Sequence, residues 1–109
     1  MENRDRQVLS KILSEADMIS TLLSGVDFET FVGDEKTKRA ICMTLINIGE
    51  LVKTLSEDFK QANTEIPWRA ISGLRDVTAH RYQTLRMEDI WTTAQTDIPV
   101  LQEQIESLF

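Results

Sequence analysis

The chain has 109 residues, a hydrophobic fraction of 41% and a formal net charge of −6. This length fits one domain, although a chain this small often gains stability by forming oligomers. The apolar fraction is typical of a soluble globular protein and argues against disorder. The acidic net charge argues against a general nucleic-acid binder, because contacts to phosphate supply most non-specific affinity.

The contents of cysteine and histidine limit the possible chemistry. Cys42 is the single cysteine and His80 the single histidine, so an intrachain disulfide is excluded and a conventional zinc site is not expected. The N-terminal residues 1–6 are too charged for a signal peptide, and no apolar run approaches the length of a membrane span. We therefore expect a cytoplasmic protein that uses no metal or other cofactor and has no membrane partner.

Apolar spacing predicts a first helix over residues 4–24, because its apolar residues recur at intervals of three and four. These residues are Leu9, Ile12, Ala16, Ile19 and Leu23. Gly25 follows the last of them and is predicted to cap the helix. The next segment, residues 26–33, is predicted as a linker whose Phe28 and Phe31 close the end of a helical bundle.

A second helix is predicted over residues 34–56, with Asp34 as its N-cap. Its apolar face is wide, which indicates a central helix that touches two neighbours, or one neighbour and a second subunit. Gly49 lies on this face and could allow another helix to approach closely. Glu50 comes next and is either a charge beside the buried face or an ordinary solvent-exposed side chain.

The C-terminal half predicts two more helices. Residues 58–66 are polar and suggest a loop or a short helical turn. The third helix is predicted from Pro67 to about His80 or Tyr82, and the fourth over residues 88–108, where Pro99 should cause a kink. The sequence thus predicts an all-α protein, with residues 1–109 forming a single domain: an antiparallel four-helix bundle with short extra helical turns.

The charge is unevenly distributed. Residues 69–86 contain four arginines (Arg69, Arg75, Arg81 and Arg86) and a single acid, Asp76. This window carries +3, which leaves −9 for the rest of a chain whose total is −6. An acidic body with one arginine-rich patch suits a local phosphate site or the docking of a charged partner.

The candidate site lies inside this patch, at residues 75–82. His80 can take and give a proton near neutral pH, and Arg75 carries a permanent charge suited to phosphate oxygens. Asp76 lies four residues before His80, so on a helix its carboxylate could orient the imidazole. Arg75 and His80 are five apart and do not converge well on a regular helix. Either the helix loosens before His80, or two copies form one cleft. The second arrangement, a cleft formed by two copies, is favoured.

Three runs of sequence resemble one family. They are Ile66-Pro67-Trp68-Arg69, Gly73-Leu74-Arg75-Asp76 and His80-Arg81-Tyr82. Together they resemble HepT-like members of the HEPN superfamily, which carry an Arg-polar-x-x-x-His motif that often continues as His-x-Tyr. The run Asn47-Ile48-Gly49-Glu50 resembles the Gly-Glu segment in the second helix of these proteins. The resemblance covers nearly the whole chain.

The resemblance implies a metal-independent endoribonuclease toxin, homodimeric, with the motif lining a cleft between subunits. His80 would act as general base or acid, Arg75 would stabilise charge on the phosphate, and Asp76 and Arg81 would support them. Glu50 could line the cleft by the same analogy. The implied partner is a minimal nucleotidyltransferase antitoxin, which in such pairs can transfer AMP to the motif tyrosine, here Tyr82.

Two other functions fit the same residues. The arginine-rich patch could bind a nucleotide or a nucleotidyltransferase without cutting RNA, an alternative that the acidic body favours slightly. The chain could also be a purely structural helical module that dimerises. Loss of RNA cleavage in a His80→Ala variant would distinguish the ribonuclease from both.

Overall fold

A computed structural model of the chain describes residues 1–76 and 82–109, and all regular structure in them is helical. Its α-helices are α1 (Asn3–Leu23), α2 (Phe28–Gly33), α3 (Glu35–Lys53), α4 (Glu57–Ala62), α5 (Trp68–Ser72), α6 (Met87–Thr92) and α7 (Ile98–Glu106). Short 3-10 turns cover Gly73–Asp76 and Tyr82–Thr84, and a π-helical turn covers Thr93–Asp97. The prediction of an all-helical protein is confirmed for the described residues.

Helices α1 and α3 pack against each other and supply much of the core. Every apolar residue that predicted the first helix is buried on α1. Asp34 caps α3 as expected, since its carboxylate accepts a hydrogen bond from the Thr37 amide at 3.2 Å. Gly25 has a φ of +72°, the left-handed conformation that ends a helix and favours glycine.

One polar contact ties the start of α1 to the start of α4. Asp5 is buried, and its carboxylate accepts hydrogen bonds from the amide and the hydroxyl of Ser56 at 2.9 and 2.6 Å. The Ser56 hydroxyl in turn accepts a bond from the Phe59 amide and caps α4. A buried carboxylate needs such donors, because leaving it unpaired would be costly.

The segments on either side of α3 both contain short helices. The predicted linker over residues 26–33 contains the helix α2, which Asp27 caps by accepting a bond from the Thr30 amide at 2.8 Å. Its Phe31 is fully buried and packs against Trp91 of α6. The polar segment after α3 contains α4, so the short helical turn suggested there is present.

The predicted fourth helix is interrupted where proline requires it. The π-helical turn Thr93–Asp97 joins α6 to α7, and Pro99 lies in the first turn of α7. Proline has no amide donor and its ring crowds the carbonyl four residues earlier, so a regular hydrogen-bond ladder cannot pass through it. The expected disturbance at Pro99 is confirmed, and its form is a π turn.

Candidate functional site

Trp68 anchors the segment that leads into the candidate site. Its indole ring is buried, lies 5.7 Å from the Phe59 ring between centroids, and donates its N–H to the Asn63 carbonyl at 2.9 Å. Ile66 and Ile71 are buried on either side of it. The run that begins at Ile66 therefore fixes α5 on the core and presents Arg69 to solvent.

The predicted third helix is wrong over residues 73–76. The α-helix ends at Ser72, and a tighter 3-10 turn continues over Gly73–Asp76. The helix therefore changes form at Gly73, before it reaches Arg75 and Asp76. His80 and Arg81 themselves lie outside the described residues.

Arg75 and Asp76 are both exposed at the end of this turn. The Arg75 Nε lies 4.0 Å from the Asp76 Oδ1, at the limit of an ion pair. The two side chains are 43% and 65% exposed, so this pair contributes little to stability but leaves the guanidinium available to a phosphate. The structure thus places the arginine of the motif at the surface, where a substrate could reach it.

Gly49 determines how closely this turn approaches α3. A Cβ atom built at Gly49 would lie 2.5 Å from the Arg75 amide nitrogen, and 3.1 and 3.2 Å from the Ser72 and Ile71 carbonyl oxygens. Only glycine allows the backbone to pass at that distance. The close approach expected at Gly49 is therefore present, and its partner is the backbone of the motif.

Glu50 lies on a different surface from the one that contacts the motif. Its side chain is exposed and lines a shallow groove between α1 and α3, together with Lys11, Glu15 and Asn47. Asn47 crosses this groove by donating to the Glu15 carboxylate at 2.9 Å. Among the described residues, the backbone neighbour Gly49 touches the motif, whereas Glu50 lies in the groove between α1 and α3.

The opposite end of the motif is held by the N-terminal turns of α3. The Tyr82 hydroxyl donates a 2.6 Å hydrogen bond to the Glu35 Oε2, and the Arg39 guanidinium lies 4.4 Å from the centre of the tyrosine ring. Glu35 also pairs with Lys38 at 3.0 Å and with Arg39 at 2.9 Å. Helix α3 thus contacts the motif twice, at Arg75 through Gly49 and at Tyr82 through Glu35.

These contacts shift two pKa values in opposite directions. The hydrogen bond from Tyr82, then that from Lys38, lower the pKa of Glu35 to about 2. Burial, followed by the hydrogen bond and the negative charge of Glu35, raises the pKa of Tyr82 to about 12. Near neutral pH, Glu35 is therefore ionised and Tyr82 keeps its proton.

Both shifts predict how stability depends on pH. The contribution of Glu35 to the stability of the fold is present above its ordinary pKa of 4.5 and is lost as the pH falls toward 2. The contribution of Tyr82 to stability is present below its ordinary pKa of 10 and is lost as the pH rises toward 12.

We expect Glu35→Gln to make stability depend less on pH in the acid range and to lower the pKa of Tyr82. Urea unfolding across pH measures the first effect, and tyrosinate absorbance measures the second. An unchanged tyrosinate titration in this variant would contradict the contact.

Sequence reasoning did not identify Glu35 and Arg39. The spacing of Glu35, Lys38 and Arg39 indicates ion pairs along one helix face, but this is common on exposed helices. Nothing in that spacing shows that Tyr82, 47 residues later, packs on the same face. Among the described residues no group of three His, Cys, Asp or Glu side chains could hold a metal ion, and we assign no metal ligand there.

Comparison with known proteins identifies the family. The family model for HepT-like ribonucleases matches residues 12–108. The chain belongs to the HepT-like ribonuclease family. A protein named "Probable ribonuclease HepT" from Thermococcus cleftensis is 33% identical over 108 residues, which cover 99% of this chain and 98% of the relative.

A second relative of this HepT-like chain is named "Putative RNase TTE0752" and comes from Caldanaerobacter subterraneus subsp. tengcongensis. It is 35% identical over 103 residues, covering 94% of this chain and 92% of the relative. No solved structure matches the chain. Within the described residues, no helix has both the length and the apolar character needed to cross a membrane.

Proposed function

We propose that this HepT-like protein is a metal-independent endoribonuclease toxin. The observation that carries the proposal is the match to a ribonuclease family over residues 12–108, which spans the whole Arg75–Tyr82 motif. The exposed Arg75 on its 3-10 turn is consistent with a phosphate-binding role. In this proposal Arg75 stabilises charge on the phosphate undergoing attack.

His80 is the proposed general acid and base, since it is the single histidine of the chain. It would remove the proton of the ribose 2′-hydroxyl as that oxygen attacks phosphorus, and would protonate the leaving 5′-oxygen. Asp76 and Arg81 are proposed to support His80 and the phosphate. We propose that Glu50 contributes to the cleft of the dimer. The groove between α1 and α3, in which Glu50 lies, would adjoin that cleft.

The assembly and partners are also part of the proposal. We propose that residues 1–109 form a single domain, an antiparallel four-helix bundle that acts in the cytoplasm. Two copies would form a homodimer with a motif from each in one cleft. The proposed antitoxin is a minimal nucleotidyltransferase that transfers AMP to Tyr82. An AMP group there would add a bulky anion to the proposed arginine-rich cleft and hinder RNA both sterically and electrostatically.

Variants of the motif test the ribonuclease function. We expect the wild type alone to stop growth and to cleave RNA in the presence of a metal chelator. His80→Ala should lower the cleavage rate by about 10²–10⁴-fold because it removes the general acid and base. Arg75→Lys should also lower it, since lysine cannot bind phosphate in a bidentate manner. Lys53→Ala, an exposed cation near the end of α3, serves as the control that should cleave normally.

A second function is favoured by one observation, the net charge of −9 outside the arginine-rich window. This charge opposes the approach of RNA at low salt, so the motif could instead bind a nucleotide or a nucleotidyltransferase. Nucleotide binding that depends on Arg75, with no cleavage of any RNA by the pure protein, would replace the ribonuclease proposal with this one.

A further inference from the structure

The Tyr82 hydroxyl and the Glu35 carboxylate are placed as a proton donor and a proton acceptor. The Tyr82 Oη lies 2.6 Å from the Glu35 Oε2, within the distance at which a general base can take a proton. The Glu35 side chain is 56% exposed, and Tyr82 is only partly buried, so a partner can reach the hydroxyl. Arg39 holds the ring in place from one face.

We propose that Glu35 accepts the Tyr82 hydroxyl proton when a group is transferred to that oxygen. This inference rests on the proposed AMP transfer, and it adds that the acceptor chain supplies its own base. The Tyr82 Oη attacks the α-phosphorus of a nucleoside triphosphate, and an Oη–P bond forms. The bond from that phosphorus to the β-phosphate oxygen breaks, pyrophosphate leaves, and the proton passes to the Glu35 carboxylate. Protein kinases use an aspartate for the same task.

The charges around Glu35 favour this transfer. Lys38 and Arg39 pair with the Glu35 carboxylate at 3.0 and 2.9 Å. When Glu35 takes the proton it loses its negative charge, and the same two cations are free to contact the new phosphodiester on Tyr82. A cationic pair beside the developing anion lowers its energy by the electrostatic effect that operates in phosphoryl-transfer sites.

The low pKa of Glu35 is compatible with the role because its largest cause is temporary. That cause is the hydrogen bond from Tyr82 itself. Once the Tyr82 oxygen is esterified it has no proton to donate, so this bond is lost and the carboxylate becomes more basic. The role therefore does not require Glu35 to be a strong base before the reaction begins.

Acetylation by N-acetylimidazole tests Glu35 without any partner protein. Tyr82 is the single tyrosine, so acetyl groups that hydroxylamine removes from tyrosine report on this hydroxyl alone. With Glu35 as proton acceptor, Glu35→Gln should react at least about 10-fold more slowly near neutral pH, and Glu35→Asp should recover part of the rate. Glu57→Gln is the matched control, since Glu57 occupies the first turn of α4 and pairs with Lys60 at 3.0 Å.

One outcome of the acetylation experiment would contradict the role of Glu35. If reaction occurs only through free tyrosinate, Glu35→Gln lowers the pKa of Tyr82 and the acetylation rate stays equal or rises. That outcome overturns the role of Glu35. Tyr82→Phe sets the background in both cases, and a cooperative unfolding transition in Glu35→Gln shows that the fold is retained.

AMP transfer by the partner nucleotidyltransferase provides the second measurement. Glu35→Gln should lower kcat for labelling by about 10²-fold or more, while KM for the protein changes little because the amide oxygen still accepts the hydroxyl hydrogen bond. Equal kcat values would overturn the proposal. If the partner leaves the wild type unlabelled, the proposed AMP transfer fails, and the acetylation rates alone decide whether Glu35 accepts the proton.

Discussion

Gly49→Ala should disable the proposed site without touching a residue of the motif. The added methyl group would lie 2.5 Å from the Arg75 amide nitrogen, which is far inside van der Waals contact. The two carbonyl oxygens at 3.1 and 3.2 Å leave it no alternative space. Either α3 or the 3-10 turn must move, and overpacking of this kind costs about 1–3 kcal/mol of stability.

RNA cleavage should be lost even though the protein stays folded. A displacement of about 1 Å at a catalytic group can lower a rate by about 10²-fold, and Arg75 would move with its own amide. We expect Gly49→Ala to remain folded at room temperature but to lose most of its cleavage activity. Urea unfolding and cleavage of a single RNA, measured on the same preparation, separate the two effects.

Gly73→Ala provides the matched control. Gly73 lies two residues before Arg75 in the same 3-10 turn, and a Cβ atom there would meet nothing within 4 Å. Its φ of −65° suits any residue, so alanine should be neutral or should stabilise the protein by about 0.4–1 kcal/mol. If both variants cleaved RNA at the wild-type rate, the contact between Gly49 and the motif would have no functional role.

The long helices were predictable because each contains many turns. The buried apolar residues of α1 recur from Val8 to Leu23, about four turns at 3.6 residues per turn. A pattern of that length indicates a helix with one buried side. Helix α2 has six residues, too few for a periodic pattern to appear. Its one local signal is Asp27 three residues before Thr30, the spacing of an N-cap.

The sequence predicts candidate residues for the site but not their geometry. Spacing on an α-helix placed Arg75 at a fixed angle to His80, but the chain changes to a 3-10 turn at Gly73. This turn passes close to Gly49 of α3, a tertiary contact that no local pattern shows. The pairing of Tyr82 with Glu35 joins residues 47 positions apart, so no local pattern could reveal it.

Removal of the Phe31 ring should cause a large loss of stability. Phe31 is fully buried, and its ring centre lies 5.2 Å from that of Trp91. Replacement of a buried phenylalanine by alanine typically costs about 3–5 kcal/mol, through lost burial and the cavity that remains. A domain of this size has roughly 5–15 kcal/mol of total stability, so Phe31→Ala should unfold at much lower urea concentration.

Phe28→Ala is the matched comparison for Phe31→Ala, because Phe28 covers the core from outside whereas Phe31 lies within it. Phe28 lies on the same short helix and also contacts Trp91, edge to face at 5.7 Å between ring centres, but it is only partly buried. Its loss leaves a site open to water, so the decrease in the free energy of unfolding should be clearly smaller. Urea titrations with a common slope give both values. Equal losses would mean that α2 is held mainly by its outer surface against Trp91, and that Phe31 does not close the end of the core.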